Sequence, residues 1–162
     1  MFATRIKRGM MGGLMGGLVF GAMMGAMGML PMIGKMVGQP NAVAGFLIHM
    51  MMSLGIGAGF GLVLGSFAFN TARALVSGLA YGAFWWILGP LTMMPMMMGM
   101  GLGVNWNMTA AQNMMPSLMG HIVFGLVLGF VFSRGECFFL ASLFRLNRTS
   151  DEKTIRPAPR AV

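Results

Sequence analysis

Carboxylates are almost missing from this chain. Its 162 residues hold three acids, Glu136, Asp151 and Glu152, and residues 9–133 carry only two formal charges, Lys35 and Arg73. That body lacks the side chains on which general acid–base work, carboxylate-linked proton coupling and hard-metal ligation depend. Cysteine is scarce too. Cys137 stands alone, so no internal disulfide forms, and the expected state is an inert thiol on the cytoplasmic side. No nucleic-acid-reading motif accompanies the +8 charge, and no Lys-Ser/Thr follows the glycine runs as a phosphate loop requires.

What remains is apolar. Hydrophobic residues make up 57% of the chain, charged residues 9%, and the mean hydropathy is +0.77. These values place the chain in the membrane class. About 20 apolar residues cross a bilayer, and charges, prolines and polar clusters divide the sequence into four segments of that length, 9–33, 42–69, 74–97 and 112–132. Backbone groups in lipid must bond within their own segment. Long Gly/Met/Leu/Phe runs without two-residue alternation suit helices rather than a barrel. The expected fold is all-α, a four-helix transmembrane bundle over residues 1–148. An interfacial helix or extension of the fourth span follows at 136–148, and a mobile cytoplasmic tail at 149–162.

Orientation follows from the basic residues. Arg5, Lys7, Arg8, Arg73, Arg134, Arg145, Arg148, Lys153, Arg156 and Arg160 fall on one side of the four-span scheme and Lys35 on the other. The positive-inside rule then puts both termini in the cytoplasm, and juxtamembrane charges of this kind meet anionic headgroups. The start Arg5-Ile6-Lys7-Arg8 imitates a signal peptide, but the apolar run after it outlasts a usual signal core and is expected to be retained.

The halves echo each other. Leu18-Val19-Phe20-Gly21-Ala22 resembles Leu79-Ala80-Tyr81-Gly82-Ala83, Met29-Leu30-Pro31-Met32 resembles Met93-Met94-Pro95-Met96, and FGLVLG occurs at 60–65 and again at 124–129. A duplicated two-helix unit explains the pattern, its copies related by an axis along the membrane normal. Two registers compete: FGLVLG pairs His49 with Asn113, whereas direct pairing of His49 with His121 also matches Gly57 with Gly129. Glycines repeat every four residues as Gly13, Gly17, Gly21 and Gly25, as Gly57, Gly61 and Gly65, as Gly78 and Gly82, and as Gly125 and Gly129. Such stripes let helix backbones approach closely in lipid. Internal packing is the expected use, with a partner subunit or second copy on the first stripe as the alternative.

Methionine is unevenly spread. Of the 23, none lies between Ser53 and Thr92, and most fall at 23–36, 50–52 and 93–119, the half that the topology turns outward. Thioethers select Cu(I), which makes His49, His121, Met93, Met94, Met96, Met97, Met98 and Met100 a candidate metal set; flexible filling beside glycine-rich helices is the plainer use. Two histidines on different spans also raise a bis-histidine haem b. Depth argues against it: His121 lies about 20 Å from Arg134 and His49 about 36 Å from Arg73, at ~1.5 Å per helical residue. His49 then reads as an interfacial polar residue and Trp106 as a belt anchor. His121, ionisable and deep, needs a partner. Trp85 and Trp86 sit at matching depth, and the expected buried tie is His121 accepting from one indole or bonding Ser117.

Read together, Gly45-Phe46-Leu47-Ile48-His49, residues 81–90 (YGAFWWILGP) and residues 120–126 (GHIVFGL) resemble an uncharacterised family of small glycine-rich prokaryotic membrane proteins, a domain of unknown function. The likeness covers residues 10–133. It implies four spans in a bacterial or archaeal plasma (inner) membrane and no activity. The methionine load departs from the Leu/Val-rich pattern of that family. The sequence thus predicts a multi-pass membrane protein that is not an enzyme and has no cofactor, an accessory or assembly subunit bound to lipid and to other membrane-protein subunits or itself. A Cu(I)- or haem-binding protein and a small transporter or channel are the alternatives.

Overall fold

The computed structural model describes residues 2–155, with side chains described for 2–135. It is helical throughout its described elements. α1 runs Phe2–Ala26, a short α2 spans Leu30–Gly34 and continues as a 3₁₀ turn Lys35–Val37, and α3 covers Ala42–Val63. α4, Thr71–Leu88, passes through a π-helical segment Gly89–Met93 into α5, Met94–Met97. After a loop over residues 98–107 come α6, Met108–Asn113, and the long α7, Met115–Ile155. Four stretches are long and apolar enough to cross a membrane: Phe2–Ala26, Ala42–Val63, Thr71–Met97 and Met115–Gly135. α7 runs on through 136–148 without a break; the tail beyond Ile155, and the side chains after Gly135, Cys137 included, lie outside the described residues.

Local chemistry sets the helix ends. Asn41, Asn70 and Asn107 sit in extended backbone, and each side chain accepts from the amide three residues on, Ala44, Arg73 and Ala110, at 2.9 Å. These amides have no partner inside their helix, which is why short polar residues start helices. Glycine makes the stops. Gly28 and Gly99 adopt φ of 67° and 78°. Around Gly28 the amides of Gly28 and Met29 return to Gly25 and Met24, and around Gly99 those of Gly99 and Met100 return to Met96 and Pro95. This double return closes a helix through a left-handed residue. The first span therefore stops near residue 26, short of the expected 33, and Leu30-Pro31 begins a separate helix whose proline needs no amide partner.

Glycines decide how the helices meet. α1 lies antiparallel against α3, so that a Cβ added to Gly9 would strike the Gly57 carbonyl and one on Gly13 would strike the Ser53 carbonyl. α4 lies antiparallel against α7 in the same manner, Gly78 against the Gly125 carbonyl and Gly82 against that of His121. α1 also carries a second small face. Gly12 and Gly16 abut the carbonyls of Leu128 and Phe124 at 2.8 Å from their added Cβ positions, and Gly120 leaves the notch that the Phe20 ring fills. The core between these seams is aromatic: Phe20, Phe60, Phe124 and Phe132 are buried with Leu128 and Met24, and Phe60 meets Phe132 and Tyr81 edge-on.

Large apolar side chains point outward instead. Leu14, Leu18, Leu47, Met51, Leu62, Val76 and Phe130 are exposed on the outer faces of the long helices. Small residues inside and bulky ones outside is the arrangement lipid favours, because hydrocarbon solvates leucine as well as a protein core does. Arg5, Lys7, Arg8, Arg73 and Arg134 gather at one end of the bundle, where Arg73 lies 4.4 Å over Phe69 and Arg134 lies 5.0 Å over Phe130; Lys35 is at the other.

Candidate functional site

Toward the end opposite the basic cluster, the seams give way to side chains. On α1, the neighbours of an added Cβ change from the Gly57 backbone at Gly9 to the Ser53 side chain at Gly17, and to the Phe46 ring and His49 at Gly21. The helices part, and a cavity of about 120 Å³ occupies the space. α1 contributes Phe20 and Met24 to it, α2 with its 3₁₀ turn contributes Met32, Ile33 and Met36, and α3 contributes His49, Met52, Ser53 and Ile56. Trp85, the π segment with Gly89, Pro90 and Met93, and Met94 close another wall, and Met114, Ser117, His121 and Phe124 of the α6–α7 side complete it.

Both histidines are therefore in one place. Phe20 touches each edge-on, with ring centroids 5.4 Å from His49 and 4.8 Å from His121. This corrects the sequence-based depth estimate, which put His49 far above His121. α3 ends at Val63, and residues 64–70 form turns before α4, so counting from Arg73 at a helical rise lengthened the path falsely. Measured from the end of its own helix, His49 is 14 residues in, matching the 13 between His121 and Arg134. His49 is no interfacial residue either. It is 7% exposed, its Nε2 lies 2.9 Å from the Gly17 carbonyl, and Ser53 Oγ is 3.4 Å from the same nitrogen.

The expected indole tie to His121 is absent. His121 Nδ1 lies 2.7 Å from the Ser117 carbonyl and 3.5 Å from Ser117 Oγ, one helical turn back on α7. Trp86 Nε1 donates to the Met114 carbonyl at 3.1 Å, and Trp85 Nε1 is buried with no hydrogen-bond partner among the described residues. The reason is local: a histidine on a helix reaches the carbonyl four residues back with no cost in helix–helix geometry, whereas the Met114 carbonyl, which accepts the Leu118 amide at 3.0 Å, receives Trp86 on its second lone pair. Trp106 is exposed, and its indole donates to Thr92 Oγ1 at 3.1 Å.

A carbonyl can only accept, so each imidazole donates to it. Neutral His49 then carries its proton on Nε2 and His121 on Nδ1, which leaves His121 Nε2 with a free lone pair. That nitrogen is near Gly89, 3.9 Å from where a Cβ on it would stand. Gly89 opens the π segment, which Pro90 favours by lacking an amide and Thr92 supports by donating Oγ1 to the Ile87 carbonyl at 2.8 Å.

The candidate metal set divides. His49, His121, Met93 and Met94 line the cavity; Met96, Met97, Met98 and Met100 do not, being 49–54% exposed on α5 and the loop after it. Met24, Met29, Met32, Met36, Met52 and Met114, which no spacing rule singled out, are the thioethers that the fold brings in. Among the described residues no three His, Cys, Asp or Glu side chains gather as a metal site. The Phe20 ring stands against both imidazoles.

Of the glycines named from sequence, Gly13, Gly17, Gly21, Gly57 and Gly61 lie between α1 and α3, and Gly78, Gly82, Gly125 and Gly129 between α4 and α7. Gly65 packs against its own helix and the Arg5 side chain, and Gly25 meets only Leu30 at 3.5 Å. Gly9 extends the first stripe by one more step of four, a signal the sequence did carry. Gly12 and Gly16 form a shorter pair four residues apart, and Gly120 has no glycine four residues to either side. No family model, curated protein or solved structure matches this chain.

Proposed function

We propose that this is a non-catalytic integral membrane protein that serves as an accessory or assembly subunit of a larger membrane complex. It sits in a bacterial or archaeal plasma membrane with both termini in the cytoplasm and is built from two copies of one helical hairpin. The observation that carries this reading is the inverted bundle: backbone-close glycine seams inside, bulky apolar faces outside, and no carboxylate between residues 9 and 133. Such a body offers surface to lipid and to other helices and offers little to reaction chemistry or to proton-coupled transport. The equal depth of His49 and His121 favours the register that pairs them, over the FGLVLG register. Native mass analysis after gentle extraction tests the proposal. Copurification with other membrane subunits at fixed stoichiometry is the expected result, and a lone monomer under conditions that preserve known complexes of the same membrane overturns it.

A further inference from the structure

Ligand choice in the cavity is narrowed by what surrounds it. Its polar side-chain groups are two imidazoles, the hydroxyls of Ser53 and Ser117, and the Trp85 indole N–H, a donor that cannot ligate a cation; the rest is thioether, aromatic and aliphatic surface. Hard cations want oxygen, and zinc wants three or four nitrogen, thiolate or carboxylate ligands. Imidazole joined to thioethers suits Cu(I). Charge points the same way. With no carboxylate to neutralise it, a divalent ion in this apolar space would suffer far more desolvation than a monovalent one.

The histidine is prepared as metal-ligating histidines are. One ring nitrogen of His121 donates to a backbone carbonyl, which fixes the tautomer and the ring plane and leaves the other nitrogen basic and unengaged. That nitrogen is beside the π segment, whose last residue Met93 and the following Met94 of α5 line the cavity wall, while Met24 and Met114 line it from α1 and the α6–α7 junction. Methionine's three rotatable bonds allow thioethers from separate helices to converge on one point. A π segment inside a spanning helix is often placed at a functional site.

We propose that this cavity binds a single Cu(I) ion through His121 Nε2 and thioethers from Met24, Met94 and Met114. The inference stands apart from the subunit reading, because it concerns the isolated chain. Full-length protein in lipid nanodiscs is titrated with Cu(I) against a competing chelator, and with redox-inert Ag(I), and retained metal is counted after desalting. One ion per chain is expected. His121→Ala and the paired, near-isosteric Met94→Leu/Met114→Leu should each weaken binding at least tenfold while the thermal melt confirms a folded bundle. Met96→Leu/Met98→Leu/Met100→Leu, which removes exposed thioethers only, should leave stoichiometry and affinity unchanged. Retained metal well below one ion per chain, or binding that survives the cavity variants and is lost with the exposed ones, overturns the proposal.

Discussion

The two ends of this bundle solve the same problem in opposite ways. Near the basic end, α1 meets α3 and α4 meets α7 with main chain against main chain. Near the other end the same helices hold one another through side chains: Phe46, His49 and Phe20 stand where carbonyls stood before. Hydrophobic burial cannot drive either contact in lipid, so close packing and hydrogen bonding must. Glycine maximises the first and excludes ligands; the methionine-rich end gives up contact area and keeps a cavity.

The contrast breaks most sharply at Gly57 and Gly125. Leucine at either would force its Cβ into the facing carbonyl of Gly9 or Gly78. Backbone cannot swing aside as a side chain can, so each variant should cost at least about 3 kcal/mol, seen as loss of monodisperse protein and a collapsed melting transition in detergent. Gly55→Leu is the matched control. Nothing lies within 4 Å of its added Cβ, and it should behave as wild type. Gly120→Ala is a smaller perturbation of the other end. Its methyl would meet the Phe20 ring, which has some freedom to tilt, for an expected cost of about 1–3 kcal/mol in the same melt. Smallest is Trp86→Phe, which deletes one hydrogen bond to the Met114 carbonyl; interhelical bonds in lipid average about 0.6 kcal/mol. Trp85→Phe, lacking such a bond among the described residues, should shift the melt less. Equal shifts from both would show that aromatic packing, rather than the bond, holds this end.

Much of the fold was written in run lengths and spacings. Four apolar stretches gave four helices able to span a membrane, since a chain without charge has few other choices. Four-residue glycine steps gave the two main seams, because that spacing keeps small residues on one helical face. What escaped was whatever depended on chain path. Residues 27–33 look continuous with the first span, yet Gly28 takes a left-handed turn and Leu30–Gly34 folds back onto α3, with Gly45 against the Leu30 carbonyl. His49 was misplaced by a rise applied through turns. The densest methionine cluster, 93–100, looked like one site and is divided at the buried Pro95: Met93, itself 40% exposed, and Met94 line the cavity, and the later four do not. Gly120 carried no pattern, because its reason is a ring one hundred residues away.

The position of α1 between α3 and α7 has a bearing on how the chain is made. A ribosome delivers α1 and α3 first, and their mutual glycine face can seal while the remainder is still being synthesised. α4 emerges with its own small-residue face uncovered and touches that early pair chiefly through Tyr81, which donates to the Ile56 carbonyl at 2.9 Å. α7, the latest of these four to be synthesised, must then fasten to two neighbours at once, covering α4 and enclosing Phe20, so its arrival is the step that locks the four together.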